Sequence, residues 1–280
     1  MSLIASAAAI AALTQPALDA CFARMPDYGT WREAPGQQWD YRWTGEAGAV
    51  TILGAEHQRD PAHAQFPRFS AAFAEARPTI ALFEGPDRGV DRSEEATIRN
   101  MGETGQLRFL ARAAGVPVRS LEPSPGQQLG MLLAQYPFDQ VLLFFTLREA
   151  ARLRDRESLS GAALDGTVGT LLQRVSQMGS GAGLTLPFTD VPGLDRAAAR
   201  YWPNRDWRTF PASWFSPGAN DSETGGQFLG AINRSDSANR DRHMVSEIAT
   251  AARRGERVFA VVGRNHVPMQ APALDCALGR

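Results

Sequence analysis

The chain reads as an α/β protein with a central mixed or mostly parallel sheet flanked by helices, and with a helical insertion or cap. Short apolar runs alternate with amphipathic stretches of helical period, the order that βα units produce. Two of those runs also share an ending. Thr51-Ile52-Leu53-Gly54-Ala55-Glu56-His57 and Ala260-Val261-Val262-Gly263-Arg264-Asn265-His266 are partly β-branched, stop at glycine and place a histidine three residues later. Each reads as a buried strand that ends in a turn. If the two strands are parallel neighbours, their carboxyl ends form the crevice where open α/β sheets bind ligands, and both histidines point into it. With only 4 histidines in 280 residues, the recurrence carries weight.

Composition sets the bounds. Hydrophobic residues make up 44% and charged ones 21%, enough for one α/β domain over residues 1–280. A formal net charge of -1 and a pI near 6.4 supply no field to gather nucleic acid or an anionic membrane. Arg148, Arg152, Arg154 and Arg156 alternate with Glu149, Asp155 and Glu157, as on a solvated helix face. Met1 to Leu13 is small and apolar like the core of an export signal, yet no basic residue precedes it, and Leu18-Asp19-Ala20-Cys21 is a poor lipoprotein cleavage box. That stretch reads either as a signal remnant or as an alanine-rich first helix. No later stretch has the length of an uncharged membrane span. Cys21 and Cys276, the 2 cysteines, make no metal-binding pair by spacing. A disulfide between them would pin the terminal segments together in an oxidising compartment. A periplasmic or secreted location is favoured, with the cytoplasm left open.

Taken in order, Trp39 to Trp43 alternates as an edge strand does, and the turn at Gly45-Glu46-Ala47-Gly48 returns the chain to the strand ending at Gly54, so these two form a hairpin. Phe66, Phe69 and Phe73 fall at helical spacing around Pro67 to Ala76 and are core anchors. Thr79 to Phe83 is the next strand. Strand, helix and strand make a βαβ unit, which brings Glu84 out on the same sheet edge as His57. Within the polar stretch Arg88 to Asn100, Arg99 is the member placed to turn inward. Glu103 to Ala114 is a helix stopped by Gly115, and Glu103 in its first turn either complements the helix dipole or faces the crevice. Val116 to Leu121 is a short strand, and Glu122-Pro123 repeats the acidic strand end of Glu84-Gly85-Pro86.

From Gly126 to about Gln177 the pattern is helical over Gln128 to Tyr136, Phe138 to Glu157 and Ala162 to Met178. Met178 to Asn220 is rich in Gly and Pro and reads as an ordered loop wall anchored by Trp202, Trp207 and Trp214. Residues 126–220 are thus a helical and loop insertion expected to cover the crevice. A helix begins near Asp236, with Arg240, His243 and Glu247 on one face at i, i+3, i+7. Arg240 is the candidate for an anion or oxyanion contact. His243 is either a surface or capping residue or a ligand. The strand Arg257 to Gly263 follows, and Pro268 to Leu278 closes the chain as helix or loop.

Two imidazoles with one or more carboxylates suit two kinds of hydrolysis. His57, His266 and Glu84 could hold Zn²⁺, Mn²⁺, Co²⁺ or Fe²⁺, whose open coordination position lowers the pKa of bound water. The same groups work without metal, with a histidine as general base and Glu56, Glu84 or Arg240 handling charge. No phosphate-binding GxxxxGK[ST] loop, dinucleotide GxGxxG, HExxH or Gly-x-Ser-x-Gly elbow occurs.

With Gly54-x-x-His57, Gly263-x-x-His266, Glu84 after a strand and Arg240 in the helix before the last strand, the segment from Val50 to Pro272 resembles the TraB/Tiki/ChaN superfamily, which includes the erythromycin esterases. The resemblance implies an α/β core with His57 and His266 as its central pair, Glu84 as acidic partner and Arg240 as a polar member. Glu56 beside His57 is similar to the glutamate-histidine pairing of the esterase branch. Glu103-Thr104-Gly105 and Leu121-Glu122-Pro123 are similar to the TraB/Tiki branch. That superfamily contains metal-dependent proteases, macrolide esterases and a haem-associated lipoprotein, so fold analogy names no substrate. The expectation is a hydrolase acting on an ester or amide bond of a small-molecule or peptide substrate, with a divalent metal as an option. The alternative is a non-catalytic protein that binds a ligand such as haem in the same crevice. Met244 and Met269 would serve such a ligand or fill the core.

Overall fold

The structure, a computed structural model, describes residues 15–46, 48–181 and 183–280. Met1 to Leu13 lies outside them. In chain order the elements are α1 (Gln15–Phe22), β1 (Asp40–Thr44), β2 (Ala49–Ala55), α2 (Gln65–Ala76), β3 (Ile80–Phe83), α3 (Glu94–Ala113), β4 (Val118–Ser120), α4 (Pro125–Leu133), α5 (Phe138–Glu157), α6 (Gly161–Gly181), α7 (Val191–Tyr201), α8 (Asp221–Thr224), α9 (Leu229–Arg253), β5 (Arg257–Gly263) and α10 (His266–Leu278). The chain divides into two compact units. Unit 1 takes the described residues up to Asp27, Arg32–Pro123 and Arg240–Arg280, and unit 2 takes Tyr28–Trp31 and Ser124–Asn239.

Unit 1 is an α/β body on a five-stranded sheet ordered β1-β2-β5-β3-β4. β1 and β2 form the expected antiparallel hairpin, and every other pairing is parallel. β2 and β3 are not direct neighbours, because β5 inserts between them and pairs with both. All their carboxyl ends nevertheless share one edge. The strands alternate as the pleat requires. Val50, Ile52, Leu82, Val258, Ala260 and Val262 pack in one core cluster with residues of α1, α9 and α10. Leu53, Ala55, Ala81, Phe83, Phe259 and Val261 pack in the other with Phe69 and Phe73 of α2 and Leu107 of α3. Both faces of the sheet are therefore buried, which explains why the central strands read as continuous apolar runs.

Several boundaries differ from the sequence reading. A helix starts at Glu94, capped by the Ser93 side chain, and runs through what was read as a polar stretch. It is interrupted at Gly102, whose φ of 64° and ψ of -147° are non-helical, so the expected helix from Glu103 is the part after a break. α9 begins at Leu229, not near Asp236.

Unit 2 is helical. Its core gathers Val141, Leu143, Phe144 and Leu147 of α5, Leu164, Val168 and Leu172 of α6, and Leu194 of α7. The expected loop wall over Met178 to Asn220 contains the helix α7. Asp190 caps that helix by accepting from the Gly193 N–H, and Pro192 sits in its first turn, where proline starts a helix. Trp202, Trp207 and Trp214 are anchors, each no more than 4% exposed. The Trp202 ring lies 4.9 Å from that of Phe210, and the Trp207 indole N–H donates to Asp195 at 2.7 Å. No helix among the described residues is long and apolar enough to cross a membrane.

Cys21 of α1 and Cys276 of α10 are disulfide-bonded, with Cα atoms 5.4 Å apart at a sequence separation of 255. A cross-link of that span restricts the unfolded chain strongly. Replacing both cysteines with alanine is expected to lower unfolding stability by about 2–5 kcal/mol, read as a fall in the urea midpoint against the oxidised parent.

Candidate functional site

The site lies at the carboxyl edge of the unit 1 sheet. Parallel register sets Gly54 opposite Val262 and Ala55 opposite Gly263, so the two Gly-x-x-His segments leave the sheet side by side. The Arg264 N–H then donates to Ala55 O at 3.0 Å, which ties the two exits together. Neither glycine has a positive φ, so the turn geometry read from sequence is not their reason. Close approach is. A Cβ on Gly54 would stand 2.5 Å from Trp39 O and 2.8 Å from Arg264 Cα. One on Gly263 would stand 3.1 Å from Glu84 Oε2 and 3.6 Å from His57 Nε2, so the missing side chain is the room that those two groups share.

A hollow of about 460 Å³ opens there, lined among others by Glu56, His57, Glu84, Asn265 and His266. The two histidines do converge on it, but in opposite states. His57 is exposed, and its Nδ1 lies 2.7 Å from Oε1 of the buried Glu103. A carboxylate accepts, so Nδ1 carries the proton of this bond, and in the neutral ring Nε2 is the basic nitrogen. Glu103 reaches His57 because α3 breaks at Gly102, where a Cβ would meet Gln58 O at 2.8 Å.

His266 is buried. Its Nδ1 lies 2.7 Å from Asp241 Oδ1 and its Nε2 lies 3.4 Å from Glu84 Oε1. Burial alone would lower its pKa, but the charges of Asp241 and Glu84 and the bonds to them outweigh burial and raise it to about 10. It is an imidazolium at neutral pH. Burial likewise pushes the Glu84 carboxyl up, and this is overcome by the His266 charge and hydrogen bond, the Arg240 charge and the Gly263 N–H, which donates at 2.6 Å. Glu84 is held well below the usual carboxylate range.

Arg240, read as an anion or oxyanion contact, is engaged by two of the protein's own carboxylates. Its Nη2 donates to Glu84 at 2.7 Å and its Nε to Glu122 at 2.8 Å, and Glu122 also accepts from the Gly85 N–H at 3.0 Å. Glu56 stands at the rim, half exposed, with Oε1 3.2 Å from Arg264. Arg99 does not turn inward; it is exposed and pairs with Glu95 one helical turn away. His243 is half-buried and outside this hydrogen-bonded cluster, and Glu247, expected on the same face, pairs with Arg119. Asp241 is the residue that the sequence reading missed. It is fully buried, and its oxygen also accepts from Gln270 at 2.7 Å. Its signal was position: it continues the buried stripe of Met244, Val245, Ile248 and Ala252 on α9.

The donor set does not fit a divalent metal. His266 turns Nδ1 to Asp241 and Nε2 to Glu84, and Glu84 accepts from Arg240 and the Gly263 N–H, so these groups face one another and not a shared ion. Among the described residues, no three His, Cys, Asp or Glu side chains converge to hold a metal ion. Met244 and Met269 are fully buried core side chains. Compared with protein-family models, curated proteins and solved structures, the chain matches none.

Gly102→Ala places a side chain where only glycine is unstrained and against Gln58 O, with an expected cost of about 1–3 kcal/mol, read by urea denaturation. The pH dependence of stability has a definite sign. His266, raised to about 10 from an ordinary 6.5, contributes fully below 6.5 and progressively less as pH rises to 10. Glu84, lowered from an ordinary 4.5, contributes fully above 4.5 and is lost as pH falls. The urea midpoint should therefore peak between those two ordinary values and fall towards pH 9, and His266→Gln should flatten the fall above pH 6.5.

Proposed function

We propose that unit 1 carries a hydrolytic site for an ester or amide bond of a small-molecule or peptide substrate, with His57 as general base. The observation that carries this reading is the pair of His57 with the buried Glu103 at the edge of the hollow. Glu103 fixes the tautomer and stabilises the imidazolium that forms, while Nε2 borders the space beside Glu84. A water there donates one hydrogen bond to His57 Nε2 and the other to the ionised Glu84. His57 takes the first proton as the water oxygen attacks the carbonyl carbon. The developing oxyanion meets Asn265, an exposed residue of the lining that brings an amide donor. Collapse of the tetrahedral adduct expels the alcohol or amine, which takes the proton back from His57.

His266 and Arg240 hold Glu84 in place and ionised; neither is a base in this scheme. The resemblance of the paired Gly-x-x-His motifs to the TraB/Tiki/ChaN superfamily supports the same class of chemistry. No step runs through a metal, because the donor set does not fit one. The Cys21–Cys276 disulfide supports a periplasmic or secreted location.

Screening p-nitrophenyl esters, macrolide esters and peptides should find an activity that survives dialysis against a chelator. His57→Ala should reduce it by about 10²–10⁴-fold, and Glu103→Gln should reduce kcat with little change in KM. An activity that His57→Ala leaves intact, in folded protein, removes His57 from the mechanism and ends the proposal.

A further inference from the structure

Unit 2 contains a second hollow, of about 530 Å³, bounded by α4, α5, α6 and the segment that follows α6. Its walls are apolar, with Leu129, Phe138, Leu142, Phe145, Leu171 and Val175 facing it. Met178 and Leu184 border it too, and they are the large hydrophobic side chains left exposed among the described residues, at 68% and 38%. Scattered exposed apolar groups need no explanation, but here both border one apolar hollow, where an apolar occupant would cover them. The volume falls within the range of small-molecule sites, and a flat contact between two copies of the chain would leave it unfilled.

Polar groups gather at one place in this lining. Gln128 and Arg148 both face the hollow and both reach the same buried carboxylate: Gln128 Nε2 donates to Asp236 at 2.7 Å, and Arg148 Nη1 lies 3.6 Å from the other oxygen. Arg148 is steadied over the Phe144 ring at 4.7 Å and by Asn233 at 3.3 Å, and its side chain stays 40% exposed. The acid of the lining, Glu149, is gripped by Arg152 through two bonds of 2.7 and 2.8 Å. Asp236 is 1% exposed and forms no part of the lining. The cation of this lining is therefore Arg148, which pairs with Asp236 yet keeps its side chain 40% exposed.

We propose that this hollow binds an amphiphile with one aliphatic chain and one carboxylate, the chain against Leu129, Phe145, Leu171 and Val175 and the carboxylate on Arg148. The inference is independent of the hydrolytic reading of unit 1. Calorimetric titration of the intact, disulfide-bonded chain with dodecanoate, dodecanol and dodecyltrimethylammonium, each below its micellar concentration, tests it. Dodecanoate is expected to bind once per chain and at least about tenfold more tightly than the ammonium amphiphile. Arg148→Gln should weaken dodecanoate by about tenfold and leave dodecanol unchanged. Leu184→Gln, at the exposed lip, should weaken dodecanoate and dodecanol alike without unfolding unit 2. Equal binding of all three amphiphiles, no binding of dodecanoate, or dodecanoate affinity indifferent to Arg148→Gln in folded protein would overturn the proposal. So would concentration-dependent dimerisation that Met178→Glu abolishes and dodecanoate does not disturb, which would assign the hollow to a second copy.

Discussion

The parallel register between β2 and β5 is the constraint on which the unit 1 site depends. Ala55 pairs with Gly263, so two segments separated by most of the chain leave the sheet at one level. A slip by one residue would turn each inward side chain to the opposite face, and both faces of these strands are buried, so the register is strongly specified. The glycines extend the same constraint outward. Gly54 lets the backbone of the Arg264 turn approach, and Gly263 leaves the space that His57 and Glu84 border. Apolar packing sets the position of the strands, and that position brings the polar side chains together.

Glu84, Arg240, Asp241 and His266 are then held in a setting where an unpaired charge would cost several kcal/mol. None stands alone. Arg240 bridges Glu84 and Glu122, and His266 bridges Glu84 and Asp241. Such a cluster adds little net stability over an apolar core of the same volume, whereas removing one member strands its partners. What the cluster provides is a carboxylate at Glu84 that stays ionised and fixed at the rim of the hollow, its Oε1 taken by Arg240 and His266 and its Oε2 accepting from the Gly263 N–H with a second lone pair to spare.

Much of this was legible from residue order. The apolar runs at Thr51 and Ala260 predict buried strands because a doubly covered strand has no polar face to show, and the acids after Phe83 and Leu121 follow from strand polarity. Arg99 was misplaced, and His243, left open between a surface residue and a ligand, stands outside the cluster. Helical spacing places residues on a common face without saying which face is inside, and the face shared by Arg240, His243 and Glu247 delivers only Arg240 to the cluster. Asp241 was overlooked because an acid beside a basic run looks solvated, although it falls in line with Met244 and Ile248. The break at Gly102 was illegible, since a glycine inside a helical pattern is usually tolerated without one. It is also what brings Glu103 to His57.

The two histidines show how far a shared motif constrains chemistry. In both, the glycine sets the exit from the sheet and the third residue lands beside the hollow. Beyond that residue the two segments diverge. After His57 the chain continues as irregular backbone, so the ring is exposed, with its Nδ1 held by a carboxylate. His266 instead opens α10, a helix that packs into the core, and burial places its ring between two acids. One imidazole thereby stands exposed against a single buried carboxylate at Nδ1, and the other is committed to carrying charge between two acids. In the general-base reading proposed for unit 1, that division leaves the His57 ring to take the proton of water while His266 helps to keep Glu84 ionised.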